Sequence, residues 1–241
     1  SGMALPLVLA RITRAKIMIS RDRLQDAETM LAQLDELVEL QRNTRLQALV
    51  CYEKMRLRFY AGQRADDLIA RYDLASRCVQ VETLFLDEYQ EEHLFWLKSK
   101  LIAYLMDADF AAASEDALKG MIKSLHLGCW RHRITFCLFK ALSEFRLNRY
   151  SDACASYNRA LLLCQQAGYR RVLIDDSFGM GELWSRMRQQ GDFDPALTPA
   201  FLQEIQASLE FSLPSLQRPA RTVVVSETGH ECGLTDKEVE I

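Results

Sequence analysis

The amino-acid sequence predicts an all-α fold, a row of antiparallel helical hairpins stacked into one curved solenoid. Three observations carry that expectation. Between Pro6 and Pro195 there is no proline and only seven glycines. A proline costs about 3 kcal/mol inside a helix, so this stretch is free to run helix after helix. Apolar residues within it recur at three- and four-residue spacing and not at two, the period of one helical face. Finally, a short pattern returns about every forty residues, and a helix–turn–helix unit repeated at fixed period marks an α-solenoid.

The pattern is a polar residue, a bulky one, two mostly polar or small residues, then a small or apolar residue opening a helix. Its copies are RLQDA (Arg23 to Ala27), RADDL (Arg64 to Leu68), DFAAA (Asp109 to Ala113) and RYSDA (Arg149 to Ala153). Their last positions, 27, 68, 113 and 153, step by 41, 45 and 40. The second copy is the weakest, with no large side chain in second place. Amphipathic segments flank each copy: Glu91 to Leu105 and Ala111 to Leu125 around the third, Arg133 to Leu147 and Tyr150 to Cys164 around the fourth. A period near forty leaves about 17 to 18 residues per helix, roughly 25 Å of rise. One such hairpin cannot bury its apolar face alone, so residues 3–211 are expected to stack as a single domain. Asp176 to Arg188 and Thr198 to Phe211 are read as further helices, with Thr198-Pro199 as N-cap and first position.

The small residue at the end of each pattern lets the two helices of a hairpin approach closely where they cross. Ala153, Tyr157 and Ala160 lie on one face at spacings of four and three, giving small, large, small for interdigitation. This stretch, RYSDACASYNRALLL, resembles the second helix of a tetratricopeptide repeat. In the first helix Ala141 corresponds to that family's small residue, while the large positions around it are out of phase. The period also exceeds the family's 34 residues. The resemblance implies a TPR-like superhelix with longer helices.

Composition bounds the rest. The chain has 241 residues, 49% of them hydrophobic and 26% charged, ordinary for a soluble globular protein. No apolar run approaches the roughly 20 residues needed to span a bilayer. Ser1-Gly2 ahead of Met3 reads as a cloning scar, with no signal segment after it. A net charge of −3 and a pI near 5.9 argue against nucleic-acid binding by this segment alone. Seven cysteines, with no Cys-x-x-Cys, point to reduced, cytoplasmic usage.

After Phe211 the character changes. SLPSLQRPARTVVVSETGHECG (residues 212–233) holds two prolines and no helical period and reads as a linker. Its TVVV run would make only a marginal strand. In the closing residues 234–241, Thr235 and Glu238 form a capping box, with Leu234 and Val239 as its hydrophobic staple. A cap contributes about 1 kcal/mol, too little to hold six residues helical, so the chain is expected to be cut at a domain boundary.

GLTDKEVEI resembles the start of the LuxR-type helix-turn-helix DNA-binding domain, which opens Leu-Thr-x-Arg-Glu-x-Glu-Val. Leu234, Thr235, Glu238 and Glu240 match; Lys237 stands for the Arg and Ile241 for the Val. GYRRVLIDDSFGMGELW (Gly168 to Trp184) resembles the segment that ends the helical-repeat domain of large LuxR regulators of the MalT type, of the form Arg-x-Phe-Leu-Asp-Glu-Gly. Arg171, Ile174 and Asp175 fall on it, with Leu173, Asp176 and Ser177 replacing the Phe, Glu and Gly. The resemblance implies an effector-sensing arm that binds a small-molecule inducer or a regulatory protein and controls a C-terminal DNA-binding domain. An N-terminal nucleotide-binding ATPase module is also implied. No Gly-rich phosphate loop occurs here, so that module would lie upstream of Ser1, and the DNA-reading helix beyond Ile241. The alternative is a stand-alone TPR-like scaffold that grips a peptide or protein partner.

Chemistry-bearing residues give weaker signals. His126, Cys129, His132 and Cys137, spaced three, three and five, meet no familiar zinc spacing. His93 and the His230-x-Cys232 pair are read as incidental, so no metal site is expected. Asp175-Asp176 and the acidic run DEYQEE (Asp87 to Glu92) have no nucleophile motif beside them, and the run reads as a solvated first turn favoured by the helix dipole. Neither a catalytic nor a cofactor site is expected. Tyr52, Trp96 and Trp130, with Arg56, Arg131 and Arg133, fall on or beside first helices of their hairpins and are the sequence's lead toward a groove for a sugar or an anionic metabolite.

Overall fold

The computed structural model describes residues 4–84 and 90–210. Among them are twelve α-helices and no strand: α1 (Ala4–Ser20), α2 (Leu24–Leu40), α3 (Thr44–Ala61), α4 (Asp66–Arg71), α5 (Leu74–Thr83), α6 (Glu91–Met106), α7 (Phe110–His126), α8 (Trp130–Arg146), α9 (Tyr150–Ala167), α10 (Arg170–Asp175), α11 (Gly181–Gln190) and α12 (Pro199–Glu210). The all-α expectation is met. The linker, the TVVV run, the Thr235–Glu238 cap and His230-x-Cys232 lie outside the described residues. None of the described helices is long and apolar enough to cross a membrane.

Connections of two to four residues fold most helices back on their predecessors. All four repeated patterns fall on such reversals, between α1 and α2, α3 and α4, α6 and α7, and α8 and α9. Five reversals share one hydrogen-bonded closure, a Schellman turn with one residue in the left-handed region. Arg23 N–H donates to Met18 O at 2.9 Å, Gln63 to Arg58 at 3.0 Å, Asp109 to Tyr104 at 2.9 Å, Cys129 to Ser124 at 2.9 Å and Arg149 to Glu144 at 2.9 Å. The left-handed residue is glycine in two of them (Gly62, Gly128) and Asp22, Ala108 or Asn148 in the others.

The small residues do the work assigned to them. Ala27, Ala113, Ala141, Ala153 and Ala160 are all fully buried, with Tyr157 between the last two. Gly120 takes this furthest: a Cβ there would lie 2.4 Å from the Phe136 ring, so α7 and α8 meet backbone to ring.

Two expectations need correction. The helix following the second pattern is not continuous; Asp73 at φ 47° splits it into α4 and α5. The helix read over Asp176 to Arg188 begins only at Gly181, because Phe178 (φ 46°) and Gly179 (φ 85°) reverse the chain and Asp176 turns inward. The start of α12 is as expected, with Phe201 N–H donating to Thr198 Oγ1 at 3.3 Å. From α1 to α10 each helix packs on the next, α11 packs on α9 and α12 on α10, and one continuous hydrophobic core runs from Val8 to Ile205. The first helices of the hairpins, α1, α3, α6, α8 and α10, form an inner row: α3 packs on α1 and α6, and α8 on α6 and α10.

Candidate functional site

The inner row surrounds a cavity of about 610 Å³, within the range of small-molecule sites. Its walls come from first helices and the turn into α10. Leu5, Leu9, Ile12 and Ile17 face it from α1, Leu46, Leu49 and Tyr52 from α3, and Phe95 from α6; Tyr169 and Val172 close the far side. Leu5, Leu9, Ile17 and Tyr169 stay exposed at its edge.

Beneath the walls lies a buried polar floor. Lys16 Nζ is 3.0 Å from Glu53 Oε1. Arg56 Nε donates to Glu53 Oε2 at 2.9 Å, and its Nη1 donates to the Asp175 carbonyl at 2.7 Å. Asp176 Oδ1 accepts from the Tyr52 hydroxyl at 3.0 Å, and Oδ2 from Thr135 Oγ1 at 2.8 Å. Burial alone would push the Asp176 carboxyl up, but the Lys16, Arg56, Lys98 and Arg131 charges hold it at about 2. Glu53, likewise opposed by burial, is lowered by Arg56 and Lys16.

The segment after α10 pins this floor from below. The Tyr60 hydroxyl donates to the Asp175 carbonyl at 2.8 Å and accepts from the Phe178 N–H at 3.2 Å. The Phe178 ring lies 5.8 Å from Tyr60 at 8° and 4.6 Å from Phe139 at 27°. Residues 175–178 therefore tie α8 to α3, which lies more than a hundred positions earlier in the chain than they do.

Six cations line the cavity against three carboxylates. Lys16 pairs with Glu53, Arg45 with Glu91, Arg170 with Glu204 and Arg171 with Asp175. Lys98 and Arg131 have no carboxylate within 4 Å among the described residues. Lys98 is only 3% exposed; its ammonium sits 3.9 Å from the centre of the Tyr52 ring and 4.4 Å from that of Phe95. Burial drives its ionisation down to about 7, with Asp176 pulling the other way.

His132 stands beside it. Glu91 accepts only, so the His132 Nε2 contact at 3.1 Å places the proton on Nε2. Its Nδ1 is buried without a partner. Burial and the Lys98 charge push this imidazole down to about 4, leaving it neutral near pH 7. Glu91, hydrogen-bonded by His132 and facing Arg45, falls to about 2.

The sequence's aromatic and arginine lead divides. Tyr52 and Arg131 line the cavity and Arg56 lies directly beneath it. Trp96 is instead buried against Tyr72 and Arg77, Trp130 is exposed, and Arg133 does not reach the cavity. Asp175 and Asp176, unremarkable as a pair of adjacent acids, hold the floor, and Glu91, expected to be solvated, joins its wall. No group of three metal-binding side chains occurs among the described residues. His93 Nδ1 accepts the Gln90 N–H at 2.9 Å at the start of α6. Of the six described cysteines, five are buried and Cys129 is half-buried.

Lys98 and Lys16 were missed by sequence reasoning, although a signal existed. In EEHLFWLKSKLIAYL, Lys98 shares the face of Phe95 and Ile102 at spacings of three and four, so a lysine occupies a core position. A scan against protein-family models, a search of curated proteins and a search of solved structures each return no match for this chain.

Proposed function

We propose that this chain is the effector-sensing domain of a LuxR-family, MalT-type transcriptional regulator, a TPR-like superhelix whose inner cavity receives a small effector. The observation that carries the reading is that one cavity touches both α1 and the turn into α10, the two ends of the inner row. A ligand seated there contacts five segments of the row at once. Turning a switch from mostly off to mostly on takes about 5.5 kcal/mol of differential affinity, and contacts with several hairpins are a source of that size. The resemblance of residues 234–241 to the opening of a helix-turn-helix domain supplies the output: DNA binding by a C-terminal domain, with nucleotide binding assigned to a module ahead of this chain.

The test uses the product of the whole gene with a promoter reporter. Leu49→Trp, which fills the cavity from α3, should abolish the effector response while leaving DNA binding by the C-terminal domain intact. A reporter that responds normally in this variant overturns the reading. One observation favours a scaffold instead: Leu118, Ile122 and Leu125 form an exposed apolar stripe on α7 at helical spacing. Under that reading Ile122→Glu, and not Leu49→Trp, abolishes activity.

A further inference from the structure

We propose that the cavity takes a small amphipathic anion, a single carboxylate head on an apolar body, with the head against Lys98 and Arg131 and the body along α1 and Tyr169. The inference rests on reading the cavity as the effector site and adds the chemistry of the ligand.

Its first support is the unpaired cation. Burying an ammonium without a counter-ion is costly, and buried charges are ordinarily paired. Lys98 lies between two aromatic faces, which hold the ammonium in place without neutralising it. The nearby acid is committed elsewhere: both Asp176 oxygens accept from hydroxyls, Tyr52 on one side and Thr135 on the other. Glu53 is engaged by Lys16 and Arg56. Among the described residues Lys98 and Arg131 are thus the two lining cations left without a carboxylate, and one carboxylate has two oxygens for them.

The second support is the apolar edge. Leu5, Leu9, Ile17 and Tyr169 are each between 39% and 45% exposed although they surround one opening. They offer a body of alkyl or aryl carbon a place to be buried. A sugar fits this wall poorly, because its hydroxyls need neutral hydrogen-bonding side chains. The Thr13 hydroxyl already donates to Leu9 O, and the Tyr52 hydroxyl to Asp176.

The probes are octanoate, 1-octanol and octyl phosphate, titrated calorimetrically into the 241-residue chain near pH 7. Octanoate should bind at one site at least tenfold more tightly than octanol. Lys98→Met should lose at least tenfold in octanoate affinity while melting no lower than the parent, which a merely structural lysine would not do. Arg131→Gln, at an exposed position that does not threaten folding, should lose several-fold. A proton readout comes from the altered ionisation of Lys98, which faces Lys16 on α1, Glu53 on α3, Arg131 and His132 on α8, and Asp176 beyond α10. At pH 8 octanoate binding should take up a proton in the parent and none in Lys98→Met.

Equal affinity for octanol, tighter binding of octyl phosphate, undiminished binding by Lys98→Met, or no octanoate binding at 1 mM each overturns the inference. Octanol binding without preference for octanoate removes the head-group assignment and leaves the cavity as a site. Octanoate binding as expected, with no effect of Leu49→Trp on the reporter, upholds the ligand chemistry and removes the sensing role.

Discussion

A lysine whose folded-state ionisation is depressed from 10.5 to about 7 favours folding only once it has lost its proton. Below about pH 7 the fold carries the full cost of the buried ammonium; that cost shrinks as pH rises from about 7 toward 10.5. Lys98→Met should therefore stabilise the protein near pH 6 by about 2 kcal/mol, or about 4–8 °C in melting temperature. The gap should close by pH 10, as thermal melts across that range would show. Asp176 has the opposite sign. Its carboxyl is held at about 2, below the ordinary 3.8, so its contribution is complete above pH 3.8 and fades as pH falls toward 2. Asp176→Ala leaves Lys16, Arg56 and Lys98 facing one another around a lost acceptor. It should cost about 3–5 kcal/mol in urea denaturation at pH 7.

Between helices, the decisive distances are set by residues with little or no side chain. Gly120→Ala would drive a methyl into the Phe136 ring, whose own position is fully buried. The overpacking should cost about 1–3 kcal/mol, read as a lower denaturation midpoint. Ala108, at φ 56° in the reversal between α6 and α7, bears the strain that glycine avoids in the equivalent turns. Ala108→Gly should gain about 1 kcal/mol in the same measurement. These reversals were legible in the sequence because a turn of fixed geometry recurs at fixed spacing and leaves its small residue behind. The break at Asp73 was not, since neither glycine nor proline marks it and only tertiary packing rewards the left-handed turn. The turn at residues 176–180 was hidden by apolar spacing that suits a helix equally well. The cavity was half legible: Tyr52, Arg56 and Arg131 stood out as residue types, whereas Lys98 had to be recognised as a charge on an apolar face. No spacing rule links residue 52 to residue 176.

Across the whole chain, the insertion of residues 175–178 against α3 and α8 changes how stability is shared. In an open row of hairpins each unit feels only its neighbours, and unfolding can begin anywhere. Here Phe178, buried at φ 46°, spends local backbone strain on ring contacts with Phe59, Tyr60 and Phe139. Phe178→Ala should cost about 3–5 kcal/mol. It should also split one cooperative transition into two, with amides of α1–α3 exchanging independently of α8–α9 by hydrogen-exchange mass spectrometry. The cavity walls come from a single row, while the stripe of Leu118, Ile122 and Leu125 lies on the other helix of its hairpin. Substitutions that re-tune what is bound inside and those that re-tune what is touched outside therefore fall on separate helices, so the two properties can be altered one at a time.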